Sequence, residues 1–413
     1  MSEQKFNIND SLYDITEKYP ESIDLLVSIG FDNIKDENQR KVIGKAISLE
    51  TALKMKKINV ETFSNNLIQI IEENKKAVDD TMEGKNKVQD ADVRIEGILP
   101  CPVKVPLMEG FNKWMEVEGS KLNISIEYDL KSASMGVDWL KDSLQSAKSA
   151  DVLADIFISA GFDLFFDKNL IGKFKDEGVF EDITEFGQYN KDFNNEYISL
   201  QDPDKSYSMI GVVSAVFLVN TEELNGRTAP KSWEDIFKPE FENSVSLPIG
   251  DFDLFNAILL NINKMYGEEG IKKLGKCLLK SMHPSEMVKS HTKKTNKPAI
   301  TIMPYFFTKM TKRGGPMIAV WPSDGAIISP IFLLSKKEKI DKLKPIVDFF
   351  ASKEVGEILS HNGKFPSVHP EIDNMVEEDN KYMWLGWDYI KKNDIGKLIS
   401  YCEEIFNEAT KEG

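Results

Sequence analysis

The sequence predicts an α/β protein with a parallel sheet, preceded by a separate all-α unit. Three observations lead there. Residues 92–161 alternate strand-like and helix-like stretches in β-α-β-α-β order. The apolar run at 207–220 reads as one long buried strand, and residues 11–73 instead repeat their apolar side chains at helical spacing.

In the all-α unit, Ser11 is placed to cap a first helix, and Ile15, Tyr19, Ile23, Leu26 and Val27 follow at helical spacing. Pro20 divides that run into two short helices, and Gly30 ends the second. A second pair follows: Ser48 caps a stripe of Leu49, Ala52, Leu53 and Met55, and VETFSNNLIQIIEE is its partner. Residues 74–91 hold almost no large apolar side chains and read as a linker.

Beyond it, DVRIEGIL (92–99) and LNISIEYDL (122–130) are strands, while VPLMEGFNKWMEVEG (105–119) and MGVDWLKDSLQSA are helices. DVLADIFISAG (151–161) leads into a third strand. This order implies parallel strands joined by right-handed crossovers. Ligands of such sheets bind beyond the carboxyl ends of the strands. Here those ends are the small, polar loops PCPVK (100–104), SAS (132–134) and SAGFD (159–163). After the long strand come a helix start at SWEDIF, a strand at SVSLPIG (244–250), a helix from Asp251 or Asp253 through Met265, and another from Gly267 to Lys280. KPAITIMPYFF (297–307) and MIAVWPSDGAIISPIFLLSKK (317–337) read as apolar strand pairs, and 340–363 as a helical hairpin. An aromatic cluster, Tyr382, Trp384, Trp387 and Tyr389, precedes a final amphipathic helix.

Composition narrows the function. The 413 residues hold 67 acidic and 52 basic side chains, a net charge of −15, which argues against electrostatic nucleic-acid binding. Cys101, Cys277 and Cys402 are odd in number and far apart, so they form neither a disulfide framework nor a four-cysteine metal site. His283, His291, His361 and His369 lack metal-ligand spacing, so no metal site is expected. No nucleophile elbow, phosphate-binding loop or zinc-protease motif occurs; no catalytic residue and no cofactor is assigned. The N-terminus has no leader-like apolar region and no window is apolar enough to span a membrane. As written the chain reads as cytoplasmic, or as a cell-surface or periplasmic protein if a leader was removed.

Six stretches in this order resemble the extracellular solute-binding proteins of ABC importers, in the two-lobed class that includes ferric-iron, thiamine and polyamine binders. They are SAGFD (159–163), YSMIGVVSAVFLVN (207–220), APKSWEDIFKPEF (229–241), AITIMPYFF (299–307), WPSDGAIISPIFLLSKK (321–337) and FFASKEVGEILSHNGKFPSVHPEI (349–372). The resemblance implies a two-lobed, periplasmic-binding-protein-like (type II) fold. Residues 92–220 plus 321–413 would form one lobe and 221–320 the other, behind a helical domain at 1–73 and a linker at 74–91. It also implies a small-molecule or ion ligand held between the lobes, and an ABC permease as partner. On that division the first lobe carries −15 and the second +4, a contrast able to guide a charged ligand or favour closure. Residues 11–73 resemble a second family, an uncharacterised helical domain that also fronts some iron–sulfur repair proteins. Some members carry a cysteine motif after the glycine that is here Gly30. This chain has Phe31, Asp32 and Asn33 there, which leaves a docking role rather than a redox one.

Candidate ligand-binding residues follow from the loops and from the resemblance. Ser159, Ala160 and Gly161 end a strand before a helix, where backbone N–H groups hold an anion or carboxylate. Ser132 and Ser134 occupy the equivalent second loop, and Cys101 the first, where a lone cysteine is otherwise a small buried hydrophobe. Asp251 and Asp253 stand at a helix start; capping accounts for one, leaving the other for a cationic ligand. By the resemblance Tyr305 stands where ferric binders carry adjacent tyrosines, but Phe306 breaks the pair. Trp321, at the second crossover between the implied lobes, offers a flat face for stacking. Asp324 shares that crossover, either in the pocket or in a simple Asp-Gly turn, and Ser214 lies mid-strand at the other. The expected function is solute binding with hinge closure; the alternative is a cytosolic ligand sensor signalling through the helical domain.

Overall fold

A computed structural model describes residues 6–19, 22–36, 39–56, 58, 60, 63–64, 67–68, 84–133, 137–293, 295–312 and 314–412. The N-terminal unit is all-α, with helices Leu12–Lys18, Ser22–Ser28 and Leu49–Met55. The expected caps are present: the Asp14 N–H donates to Ser11 Oγ (3.0 Å) and the Thr51 N–H to Ser48 Oγ (3.2 Å). Gly30, at φ 87°, ends the second helix, where the Phe31 N–H returns to the Leu26 carbonyl. Between the helices lie a 3-10 turn, Asp32–Lys35, and a π-helical turn, Arg40–Gly44. Leu12, Ile15, Leu26, Leu49, Leu53, Phe63 and Leu67 form a core separate from that of the rest of the chain. Pro20 and most of the expected linker lie outside the described residues.

The linker's end departs from expectation. Lys85–Asn86 forms a short edge strand, β1, antiparallel to β3. Strands β2 (Val93–Leu99), β3 (Ile126–Ser132) and β4 (Ile156–Ala160) are parallel in the order β3-β2-β4, as the βαβ pattern requires. The first crossover helix, Cys101–Val117, starts earlier than read, because Pro100 and Pro102 fit its N-terminal turn, where no N–H is needed. Strands β5 (Ser208–Asn220), β6 (Val245–Leu247), β7 (Leu278–Ser281), β8 (Ile300–Pro304), β9 (Met317–Val320), β10 (Ala326–Ser335) and β11 (Tyr382–Met383) complete one sheet. Its order is β1-β3-β2-β4-β10-β5-β8-β6-β7, with β9 on β5 and β11 on β10.

Strands β5 and β10 join the two halves of this sheet. Residues 208–214 of β5 pair with β10, which in turn pairs with β4. Residues 215–220 pair with β8 and β9. All of β5 is buried, which is why it shows no alternation in sequence. Pro330 lies mid-β10, beside the register shift between Ile331 and Phe332, where a missing donor is tolerated. Strands β9 and β10, from the stretch 317–337 read as a strand pair, both pair with β5 and not with each other.

The Phe252–Cys277 helix is broken at Gly267 (φ 63°), which divides it as the sequence predicts. Along it runs the C-terminal helix, Ile395–Glu412. Phe255 packs edge-on against Phe406 (5.2 Å), and a Cβ on Gly275 would meet Ala409 Cβ at 2.7 Å. At the other end of the sheet the buried Asp155 joins three elements. It accepts from the Arg94 N–H of β2 (2.9 Å) and pairs with Lys336 (3.4 Å) and Lys339 (3.0 Å) after β10.

Candidate ligand site

The end of β4 and the start of the Phe252–Cys277 helix meet. Gly161, at φ 128°, turns the chain out of β4, and a Cβ there would lie 2.8 Å from Asp253 Oδ1. Asp163, in the first turn of the next helix (Phe162–Phe166), pairs with Lys141 at 2.5 Å. Burial raises the Asp253 carboxyl to about 8, helped by the charges of Asp251 and Asp163 and opposed by Lys141. Burial raises Asp251 to about 6, against the pull of the Leu254 N–H. Glu403 on the C-terminal helix is raised by burial and then by Asp163. The anion place that the sequence assigns to residues 159–161 is therefore faced by the chain's own carboxyl groups. Ser159 and Ala160 are buried, and Ser159 Oγ donates to the Ala160 carbonyl (2.8 Å).

A second group is aromatic. Tyr305, directly after β8, meets Trp321 edge-on at 5.3 Å, and Trp321 meets Tyr382 of β11 in the same way at 5.3 Å. Trp321 Nε1 donates to the Lys381 carbonyl (2.7 Å), and Lys364 Nζ lies 4.0 Å from the centre of the Tyr305 ring. Tyr382 is buried and its hydroxyl has no hydrogen-bond partner among the described residues. Phe306 stacks on Phe365, so packing occupies the place of a second tyrosine. The two groups adjoin through β11: Trp384, two residues after Tyr382, packs on Phe162 beside Gly161 (5.7 Å).

The remaining candidates fall elsewhere. Ser132 Oγ donates to Cys101 Sγ (3.1 Å), so those two loops do come together; Ser134 lies outside the described residues. Ser214 is buried in β5 opposite Ile328, its hydroxyl unpartnered among the described residues. Asp324 lies in a turn closed by the Gly325 N–H donating to the Pro322 carbonyl (3.0 Å). It accepts from the Trp233 N–H (2.9 Å) while Trp233 Nε1 donates to the Gly325 carbonyl (3.0 Å), tying the turn to a neighbouring helix. Sequence reasoning missed Lys141, Asp163, Lys364, Tyr382 and Glu403. Only Tyr382 left a signal, through its aromatic cluster. Among the described residues no group of three or more His, Cys, Asp or Glu side chains is arranged to hold a metal ion.

Residues 151–393, more than half of the chain, match the family described as bacterial extracellular solute-binding protein. The chain belongs to that family. Residues 6–63 match a domain of unknown function, DUF1858, which corresponds to the helical unit of this solute-binding protein. Its fold is shared with a ferric binding protein from Campylobacter jejuni, at 15% identity over 77% of this chain and 99% of that one, with a TM-score of 0.52. An ABC transporter structure from Clostridium perfringens matches at 17% identity, 77% and 100% coverage and a TM-score of 0.52. The periplasmic binding protein AfuA from Actinobacillus pleuropneumoniae, with fructose-6-phosphate bound, matches at 15% identity, 77% and 99% coverage and 0.51. At these identities the likeness is one of fold, two-lobed and periplasmic-binding-protein-like (type II), to which this chain adds its separate all-α N-terminal domain. No curated protein matches the chain in sequence. Among the described residues no helix is long and apolar enough to cross a membrane.

Proposed function

We propose that this solute-binding protein captures a small solute between its lobes by bending at β5 and β10, and hands it to an ABC permease. The observation that carries the reading is the sharing of β5 between the two halves of the sheet, through β10 on one side and β8 and β9 on the other. Two antiparallel strands passing between halves let each half move as a body while the backbone bends at few residues. The lobes are those of the sequence, residues 92–220 plus 321–413 and residues 221–320, with one amendment. The Ile395–Glu412 helix lies along Phe252–Cys277 and moves with the second lobe.

The solute presents a positively charged or hydrogen-donating group to Asp163, Asp251 and Asp253, and an apolar body to Tyr305, Trp321 and Tyr382. A ferric ion is a poor match for that pairing, because Phe306 offers no oxygen. The family's extracellular setting is taken as the chain's own, which favours import over the cytosolic sensor. Thermal unfolding with a panel of amines, thiamine-like cations, oxyanions and iron salts tests this. A true ligand raises stability by RT ln(1+[L]/Kd) and compacts the protein in X-ray scattering. Stabilisation by oxyanions alone would overturn the solute class. Compaction by no stabilising ligand would overturn hinge closure.

A further inference from the structure

The three most exposed large apolar side chains among the described residues are Val42 (73%), Met375 (71%) and Met55 (70%). Their surroundings have opposite charge. Val42 and Met55 belong to the helical domain, in a stretch (39–57) that holds Arg40, Lys41, Lys45, Lys54, Lys56 and Lys57 against a single acidic residue, Glu50. Several of these cations are drawn back onto the domain's own surface. Arg40 donates to the Ile34 carbonyl (2.9 Å), Lys45 lies over the Tyr13 ring (4.6 Å) and Lys56 over Phe31 (5.3 Å). Val42 and its half-exposed neighbour Ile43 stand bare on the π-helical turn Arg40–Gly44.

Met375 stands in the loop 371–379, which holds Glu371, Asp373, Glu377, Glu378 and Asp379 and no basic residue. It adopts a left-handed backbone (φ 53°) fixed by its N–H donating to Asp373 Oδ1 (2.9 Å), a conformation uncommon for a side-chain-bearing residue. Glu377, Glu378 and Asp379 have no ion-pair partner among the described residues. A single chain therefore displays a basic stretch with bare Val42, Ile43 and Met55, and an acidic loop with a bare methionine, each complementary to the other in sign and in apolar content.

We infer that the helical domain docks on the 371–379 loop of a second copy of this chain, the two copies exchanging two equivalent contacts. Because face and loop are different surfaces, a two-fold arrangement satisfies both at once. The electrostatic share of such a contact weakens as salt screens it, while the apolar share persists.

Sedimentation velocity of the full chain tests this, with wild type, Lys41→Glu/Lys45→Glu and Glu377→Lys/Glu378→Lys compared at low and high salt. Wild type is expected to dimerise at low salt and to dissociate as salt rises. Each charge-reversed variant should associate about tenfold or more weakly, since like charges now face each other. Mixing the two variants restores both contacts in a heterodimer, because each reversed surface meets its new complement. Met55→Ser and Met375→Ser, which leave the charges unchanged, should each weaken the wild-type dimer, and circular dichroism checks that every variant folds. A wild type that stays monomeric at low salt overturns the inference. So does a dimer indifferent to both reversals, or a mixture that fails to recover. A monomer whose basic face instead captures an added acidic polypeptide assigns the face to a foreign partner and also overturns it.

Discussion

Gly161 and Asp253 meet across the two halves of the molecule so closely that a Cβ on the glycine would lie 2.8 Å from the carboxylate oxygen. The position is constrained twice, because its φ of 128° is also one that side-chain-bearing residues rarely adopt. Gly161→Ala should therefore lower stability by about 2–4 kcal/mol, strain and clash together. Gly178 separates the two effects: its φ is 70° and nothing lies within 4 Å of its Cβ position. Gly178→Ala should lose only the backbone part, about 1 kcal/mol. Urea unfolding of both variants measures the difference, and equal losses would mean that Asp253 yields freely.

Asp253 also sets a pH dependence. Its carboxyl is raised to about 8 in the folded protein, so between the unfolded carboxylate value and 8 the native state binds the extra proton. Stability then falls as pH rises through that window, and the contribution is complete only below the unfolded value. The charged groups acting on it are Asp251, Asp163 and Lys141, of which only Lys141 opposes the trend. Asp253→Asn should flatten the slope and be more stable than wild type at pH 9, by about 1–3 kcal/mol. Denaturation at pH 5, 7 and 9 checks the sign. A wild type that gains stability from pH 5 to 9 relative to the variant would refute the assignment.

The buried Asp155 holds Lys336, Lys339 and the Arg94 N–H at the far end of the sheet. Asp155→Ala leaves Lys336, itself buried, without its counter-charge, and should lower stability by about 3–5 kcal/mol. Replacing the pair together, as Asp155→Ala with Lys336→Met, should recover much of that loss. Chemical denaturation of the single and double variants measures the coupling.

Legibility in the sequence followed the range of the interactions. The long β5 was visible because burial on both faces leaves an unbroken apolar run, and the break at Gly267 because glycine alone marks it. Ser11 and Ser48 were visible because a cap is a contact over three residues. Asp324 was ambiguous because the Trp233 N–H that claims it comes from a distant part of the chain. The strands of 317–337 do not pair with each other because both find β5, a partner no local pattern names. The candidate site was legible in its residue types but not in its pairings. Neither the approach of Asp253 to Gly161 nor that of Tyr382 to Trp321 exists until β10 brings the chain back.

The proposed closure has a handle at Lys309. Its Nζ, on the turn that follows β8, donates to the His361 and Asn362 carbonyls, each at 3.0 Å. Those carbonyls end the π-helical turn Ile358–Asn362, and the adjoining Gly363 leaves no room for a side chain against Val103 of the first crossover helix. Phe306 stacks on Phe365 beside this contact, and Lys364 reaches back over Tyr305. The ammonium thus ties the β8 half of the sheet to the half that holds the Cys101–Val117 helix. The proposed bending at β5 and β10 has to release it. Lys309→Met keeps the aliphatic stem and removes both hydrogen bonds, which should shift the open–closed balance toward open by about tenfold. Small-angle scattering of the ligand-free chain should then show a larger radius of gyration than wild type, with the unfolding midpoint nearly unchanged because Lys309 is exposed. An unchanged radius would mean that the turn and the π-helical segment move as one body, which places the bend elsewhere than between them.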